Sequence, residues 1–166
     1  AYVAADSLGL RTPGGTLDFR SDWRTQTAGA DYLIITPRRF ARLLEDLADH
    51  RRQDGLSVEI VHIEDLYDEF AYGRFTSQAL QDFIARAYAT WSPRPAYVLL
   101  AGDTHYDYRN RLGSERLDFV PSRYYQARDQ GQAPSDVLYA LLDGDDLLPD
   151  LAIGRLAAGN SEQMRV

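Results

Sequence analysis

From Asp31 onward the apolar and polar positions fall into blocks whose period switches between that of a strand and that of a helix. "DYLIIT" (31–36) is a short apolar run closed by Pro37, the pattern of a strand buried on both faces. Phe40, Leu43, Leu44 and Leu47 then recur at i, i+3, i+4 and i+7, one face of a helix, with Gly55 as its stop. "SVEIVHI" (57–63) alternates as a second strand, and "IEDLYDEF" makes a short helical turn. Thr76 or Ser77 caps a long helix whose apolar stripe is Leu80, Phe83, Ile84, Ala87, Tyr88 and Trp91, and Pro93 and Pro95 end it. "AYVLLAGD" (96–103) is the most apolar strand.

This β-α-β-α-β order is the signature of parallel strands joined by right-handed crossovers, so the expected class is α/β with a mostly parallel sheet flanked by helices. After Asp103 the pattern changes. A polar, aromatic loop leads to short strands expected around "FVPSRYY" and "VLYALLD", then to the acidic stretch 143–150 and a last strand "LAIGRL". With no helix between these pieces, a short antiparallel extension near the C-terminus is expected rather than further βαβ units. Residues 1–30 show no sustained period and read as an extended lead-in or the edge of a preceding module, which puts the regular domain at 31–166. Asn160 or Ser161 would cap a helix barely begun, so the domain is expected to continue beyond Val166.

With 166 residues, 45% of them apolar, the chain can bury a core of its own. No apolar run reaches the roughly 18–20 residues of a membrane-spanning helix. A net charge of −7 argues against a nucleic-acid partner, because displacing counterions from phosphates needs basic density. Cysteine is absent, so this chain carries no disulfide, thiol nucleophile or Cys-type zinc site.

Asp103, at the end of the third strand, lies where ligands bind in open α/β sheets. With His105 it has the Asp-x-His spacing of metal-dependent phosphoesterases, but His50 and His62 are the only other histidines, and neither is a natural ligand. The stretch "DGDDLLPD" (143–150) offers Asp143, Asp145, Asp146 and Asp150 with Gly144 for a bend, chemistry that suits Ca²⁺. It lacks the EF-hand spacing, so spacing alone leaves it open between a cation loop and a solvated acidic turn. No nucleophile context such as G-x-S-x-G accompanies any histidine, and no catalytic residue is assigned.

"ADYLIITPRRF", "LADHRRQDGLSVEIVHIEDLYDEF", "FTSQALQDFIARAYATW", "PAYVLLAGDTHYDY", "VPSRYY", "SDVLYALLDG" and "DLAIGRL", in that order, resemble the N-terminal half of the gingipain-type cysteine peptidase domain. The resemblance implies a Rossmann-like, caspase-like α/β fold and a bacterial endopeptidase that is secreted or held at the cell surface, acting on protein or peptide substrates. It also implies that the catalytic His and Cys belong to a C-terminal half beyond Val166, so that this segment supports the active site and is inactive alone. A structural Ca²⁺ is implied as well, carried over to Asp103, the carbonyls of Asp143 and Leu148, and the carboxylates of Asp146 and Asp150, with Asp150 standing where the family has Glu. The competing readings are a non-catalytic surface or secretion-associated module of the same fold and, more distantly, the phosphoesterase.

Overall fold

A computed structural model of the chain describes residues 21–107, 111, 113, 119–129 and 131–165. Four parallel strands form its centre in the order β2-β1-β3-β6: β1 (Tyr32–Thr36), β2 (Val58–His62), β3 (Tyr97–Ala101) and β6 (Ala152–Leu156). As an inner strand covered on both faces, β1 holds Leu33, Ile34 and Ile35 fully buried, which is why its sequence reads as an unbroken apolar run. Thr36 is buried too, and its hydroxyl is satisfied by donating to the carbonyl of Ala101 at 2.9 Å.

The helix expected between Pro37 and Gly55 is two pieces, α1 (Arg38–Ala41) and α2 (Glu45–Gln53). Between them Leu43 N–H donates to the carbonyl of Phe40 and Leu44 N–H to that of Ala41, i to i−3 bonds that tighten the chain before α2 begins. The fully buried face is therefore Phe40, Leu44 and Ala48, while Leu43 and Leu47 pack only partly buried at its margin. Helix α3 (Ile63–Ala71) follows β2 directly, and α4 (Ser77–Thr90) is capped by the Thr76 side chain, which accepts from Gln78 N–H. Leu80, Phe83, Ile84 and Ala87 of α4 are fully buried, as its spacing predicts.

Residues 21–30 belong to this domain, which moves the expected boundary at residue 31 back toward the N-terminus. Trp23 packs its ring 5.8 Å from Phe83 and 6.0 Å from Trp91. The Glu69 carboxylate accepts from Ser21 Oγ, from Trp23 N–H at 3.1 Å and from Arg24 N–H at 2.9 Å. Gly29 passes so close to the chain ahead of β3 that a Cβ there would lie 2.2 Å from the Pro93 carbonyl oxygen. Residues 1–20 lie outside the described part.

Beyond β3, β4 (Arg123–Ala127) and β5 (Gly131–Ser135) form the antiparallel extension expected near the C-terminus. The strand expected around "VLYALLD" is instead a 3₁₀ turn (Asp136–Tyr139) followed by irregular chain; Tyr139 is fully buried and its hydroxyl donates to the Pro121 carbonyl at 2.7 Å. The last strand, β6, is not part of the antiparallel extension. It joins β3 in parallel, so the hairpin and the 3₁₀ turn together serve as a crossover that contains no α-helix among the described residues. Periodicity could not reveal this, because it registers element type and not the partner a strand chooses.

Candidate functional site at the carboxyl edge of the sheet

Strand β3 ends in Ala101-Gly102-Asp103, and three chain segments converge there. Gly102 has φ +152°, a conformation that favours glycine, and a Cβ on it would meet Val120 Cγ2 at 2.9 Å. Asp103 N–H donates to the Ala158 carbonyl at 3.0 Å, its carbonyl accepts from Phe119 and Val120 N–H at 3.0 and 3.1 Å, and its carboxylate accepts from Thr104 N–H at 2.9 Å. Asp103 is thus the joint between β3, the chain entering β4 and the chain leaving β6.

Sequence reasoning overlooked the residue that locks this joint. Arg155, the fourth residue of β6, donates from Nη1 to the carbonyls of Gly102 and Val120, both at 2.7 Å. Its Nε and Nη2 fork onto the two carboxylate oxygens of Asp136 at 2.7 and 2.8 Å, and Nη2 also reaches Ser122 Oγ at 3.2 Å. The Ser122 hydroxyl in turn donates to Asp136 at 2.7 Å, and Ser122 N–H donates to Thr104 Oγ1 at 3.1 Å. Burial works against the charge on Asp136, but the hydrogen bonds and charge of Arg155 and the Ser122 hydroxyl outweigh it and hold the carboxyl below the ordinary carboxylate range. The available signal was an arginine inside an otherwise apolar strand, since a guanidinium placed there needs an anion and several carbonyls.

The acidic loop lies at the other end of the sheet. Ala152, two residues after Asp150, pairs with Tyr97 at the start of β3, whereas Asp103 follows the end of β3. At ~3.3 Å per residue, the four steps from Tyr97 to Ala101 alone span about 13 Å. Ligands must all lie about 2.3–2.6 Å from a bound Ca²⁺, so Asp103 cannot share an ion with Asp143, Asp146, Leu148 and Asp150. The five-residue site implied by the resemblance is corrected on this ground.

Within the loop, Asp150 Oδ2 accepts from Leu142 N–H at 2.7 Å and Asp143 N–H at 2.9 Å, which holds its carboxyl below the usual range, and Asp146 Oδ1 accepts from Leu148 N–H at 2.9 Å. Two of the four carboxylates therefore close the turn itself, and among the described residues no three His, Cys, Asp or Glu side chains are grouped to hold a metal ion. With Asp103 at the other end of the sheet, no chemical role is routed through a calcium ion here.

The histidines are equally dispersed. His50 is exposed on α2, and His62 ends β2 with Nδ1 3.6 Å from Asp65. His105 follows β3 and accepts from Asp107 N–H at 3.2 Å. Strand β1 stands between the strands that carry His62 and His105, about 10 Å apart at ~4.8 Å per strand, so the phosphoesterase constellation does not assemble.

Among the described residues, one cleft opens next to the chain leaving the Asp103 joint, and it adjoins a second one along the helices. The smaller, about 180 Å³, lies between Phe75 to Ser77 at the start of α4, the loop after β3 and the residues entering β4. The larger, an open shelf of about 700 Å³, runs along α3 and α4 and shares Phe75 and Thr76 with the first.

Comparison with known proteins places this geometry in one family. The model of peptidase family C25 matches residues 25–166. Gingipain R2 of Porphyromonas gingivalis (strain ATCC BAA-308 / W83) is 26% identical over 133 residues, covering 80% of this chain and 15% of the relative. Among solved structures, dimeric latent PorU from P. gingivalis superposes with a TM-score of 0.70 at 22% identity, covering 82% of this chain and 15% of that one. The Arg-specific cysteine proteinase gingipain R (RgpB) superposes at 0.62 with 22% identity, covering 85% of this chain and 27% of that one. The chain therefore spans less than a third of each of these relatives, and the structural matches support the same caspase-like fold. With the family model matching all of the domain from residue 25 onward, the chain belongs to peptidase family C25.

Proposed function

We propose that this chain is the N-terminal subdomain of a secreted or surface-attached cysteine endopeptidase, and that it supports an active site whose nucleophile and general base are carried by a C-terminal half. The observation that carries the reading is the absence of cysteine from all 166 residues of a chain that belongs to a cysteine peptidase family. A thiolate cannot come from here, and the three histidines lie on different elements of the fold.

What the chain contributes is a fixed carboxyl edge. Its Asp103 joint and Arg155 lock tie the ends of β3 and β6 to the residues entering β4 and to the 3₁₀ turn, the rigid support that a catalytic pair on neighbouring strands needs. Among the described residues β6 is last in the sheet order, and its outer edge offers a parallel pairing surface for that second half.

The reading is tested by expressing the full-length protein and the 166-residue chain and following cleavage of a quenched fluorescent peptide library. Turnover by the full-length protein alone, abolished by thiol alkylation, supports it. Downstream strand ends without His and Cys would transfer the chain to the non-catalytic module.

A further inference from the structure

The smaller cleft at the carboxyl edge has the features of a built side-chain subsite. At about 180 Å³ it falls well short of the ~300–1,000 Å³ of a pocket for a whole drug-sized ligand, and it suits one side chain of a longer molecule. Phe75, Tyr106, Tyr124 and Pro121 give it ring surfaces, and Ser77, Ser122 and His105 give it polar atoms. Among the described residues no carboxylate and no guanidinium lines it, so these walls offer neither a basic nor an acidic side chain an ion pair.

Its walls are held from behind. Pro121 is pinned through its carbonyl by Tyr139 Oη at 2.7 Å, Ser122 by Asp136 and Arg155, and the α4 turn by its Thr76 cap. A chain leaving the cleft meets the open shelf across the shared Phe75 and Thr76. On the other side Tyr124 is the second residue of β4, which among the described residues pairs only with β5 and could take an extended segment along its backbone.

Resting on the peptidase reading, we propose that this cleft is a subsite for an aromatic side chain of the polypeptide substrate, formed wholly by this chain and separate from whatever reads the residue at the scissile bond. Stacking against Tyr106 and Tyr124 supplies the preference, and the uncharged lining supplies the discrimination against Lys, Arg, Asp and Glu.

The test is titration of the isotope-labelled chain with N-acetyl-phenylalanine amide, N-acetyl-lysine amide and N-acetyl-glutamate amide, followed by amide chemical shifts. The phenylalanine amide is expected to give saturable shifts confined to Phe75–Ser77, His105, Tyr106, Ser122 and Tyr124, and to bind roughly tenfold more tightly than the two charged amides. Tyr106→Ala and Tyr124→Ala, at side chains 68% and 41% exposed and so tolerated by the fold, should each weaken it roughly three- to tenfold. Absent shifts, or equal responses to all three amides, overturn the subsite. They leave the peptidase reading standing, because that is measured by turnover of the full-length protein.

Discussion

Arg155 and Asp136 meet in a two-pronged ion pair, Nε and Nη2 of the guanidinium at 2.7 and 2.8 Å from the two carboxylate oxygens, with side chains only 12% and 21% exposed. The pair lies 19 residues apart in sequence and ties the last strand to the 3₁₀ turn. Removing one partner leaves the other charged and poorly solvated, so Arg155→Met and Asp136→Asn should each cost about 3 kcal/mol in urea unfolding. Arg155→Lys should recover little of that, because an ammonium cannot span two carboxylate oxygens and two carbonyls at once.

Acid titration gives the sign of two further effects. The folded-state pKa of Asp136 is depressed, so its stabilisation is complete above the unfolded carboxylate value of about 3.9 and is lost as pH falls through the lower folded value. The stability gap between the parent chain and Asp136→Asn should therefore hold from neutrality to about pH 4 and narrow below it. Glu59 has the opposite sign: burial pushes its carboxyl up and the Arg52 charge only partly offsets this. Its ionisation weakens the fold as pH rises, so Glu59→Gln should raise the melting temperature at pH 7 and leave it unchanged in acid, where both forms are neutral.

The strands and the long helix were legible because their apolar residues repeat at the period of the backbone: Leu33 to Ile35 in β1, and Leu80, Phe83, Ile84 and Ala87 in α4, are buried as spacing predicts. Other features depend on contacts that periodicity does not record. The tightening at Leu43 and Leu44 divides one expected helix into two, and the 3₁₀ turn at Asp136 replaces an expected strand. Asp103 was correctly placed at the carboxyl edge, but the acidic loop could not be located from sequence, because its end of the sheet is decided by whether β6 runs parallel to β3. Arg155 carried its signal openly, and only its partner, 19 residues earlier, made that signal readable.

That separation is itself testable. Asp103→Asn and Asp150→Asn remove groups at opposite ends of β3 with no shared partner, so their effects on stability should add to within about 0.5 kcal/mol. Any calcium-dependent rise in melting temperature seen in the parent chain should survive in Asp103→Asn. Loss of that response in both single variants would contradict the separation.

The N-terminal limit of the domain gives a further expectation. Because Trp23 packs on Phe83 and Trp91 while Glu69 gathers Ser21, Trp23 and Arg24, a chain beginning at Asp31 should be less stable than one beginning at Ser21 by at least about 2 kcal/mol. Trp23→Ala in the whole chain should account for most of the difference, as read from the urea midpoint.

The central claim, that this chain supports a cysteine peptidase site whose chemistry lies elsewhere in the protein, is tested most directly by turnover before and after thiol alkylation. The account predicts peptide cleavage by the full-length protein, its loss on alkylation, and no cleavage by the 166-residue chain under any condition. Cleavage by the isolated chain, or full-length activity that survives alkylation, would contradict it.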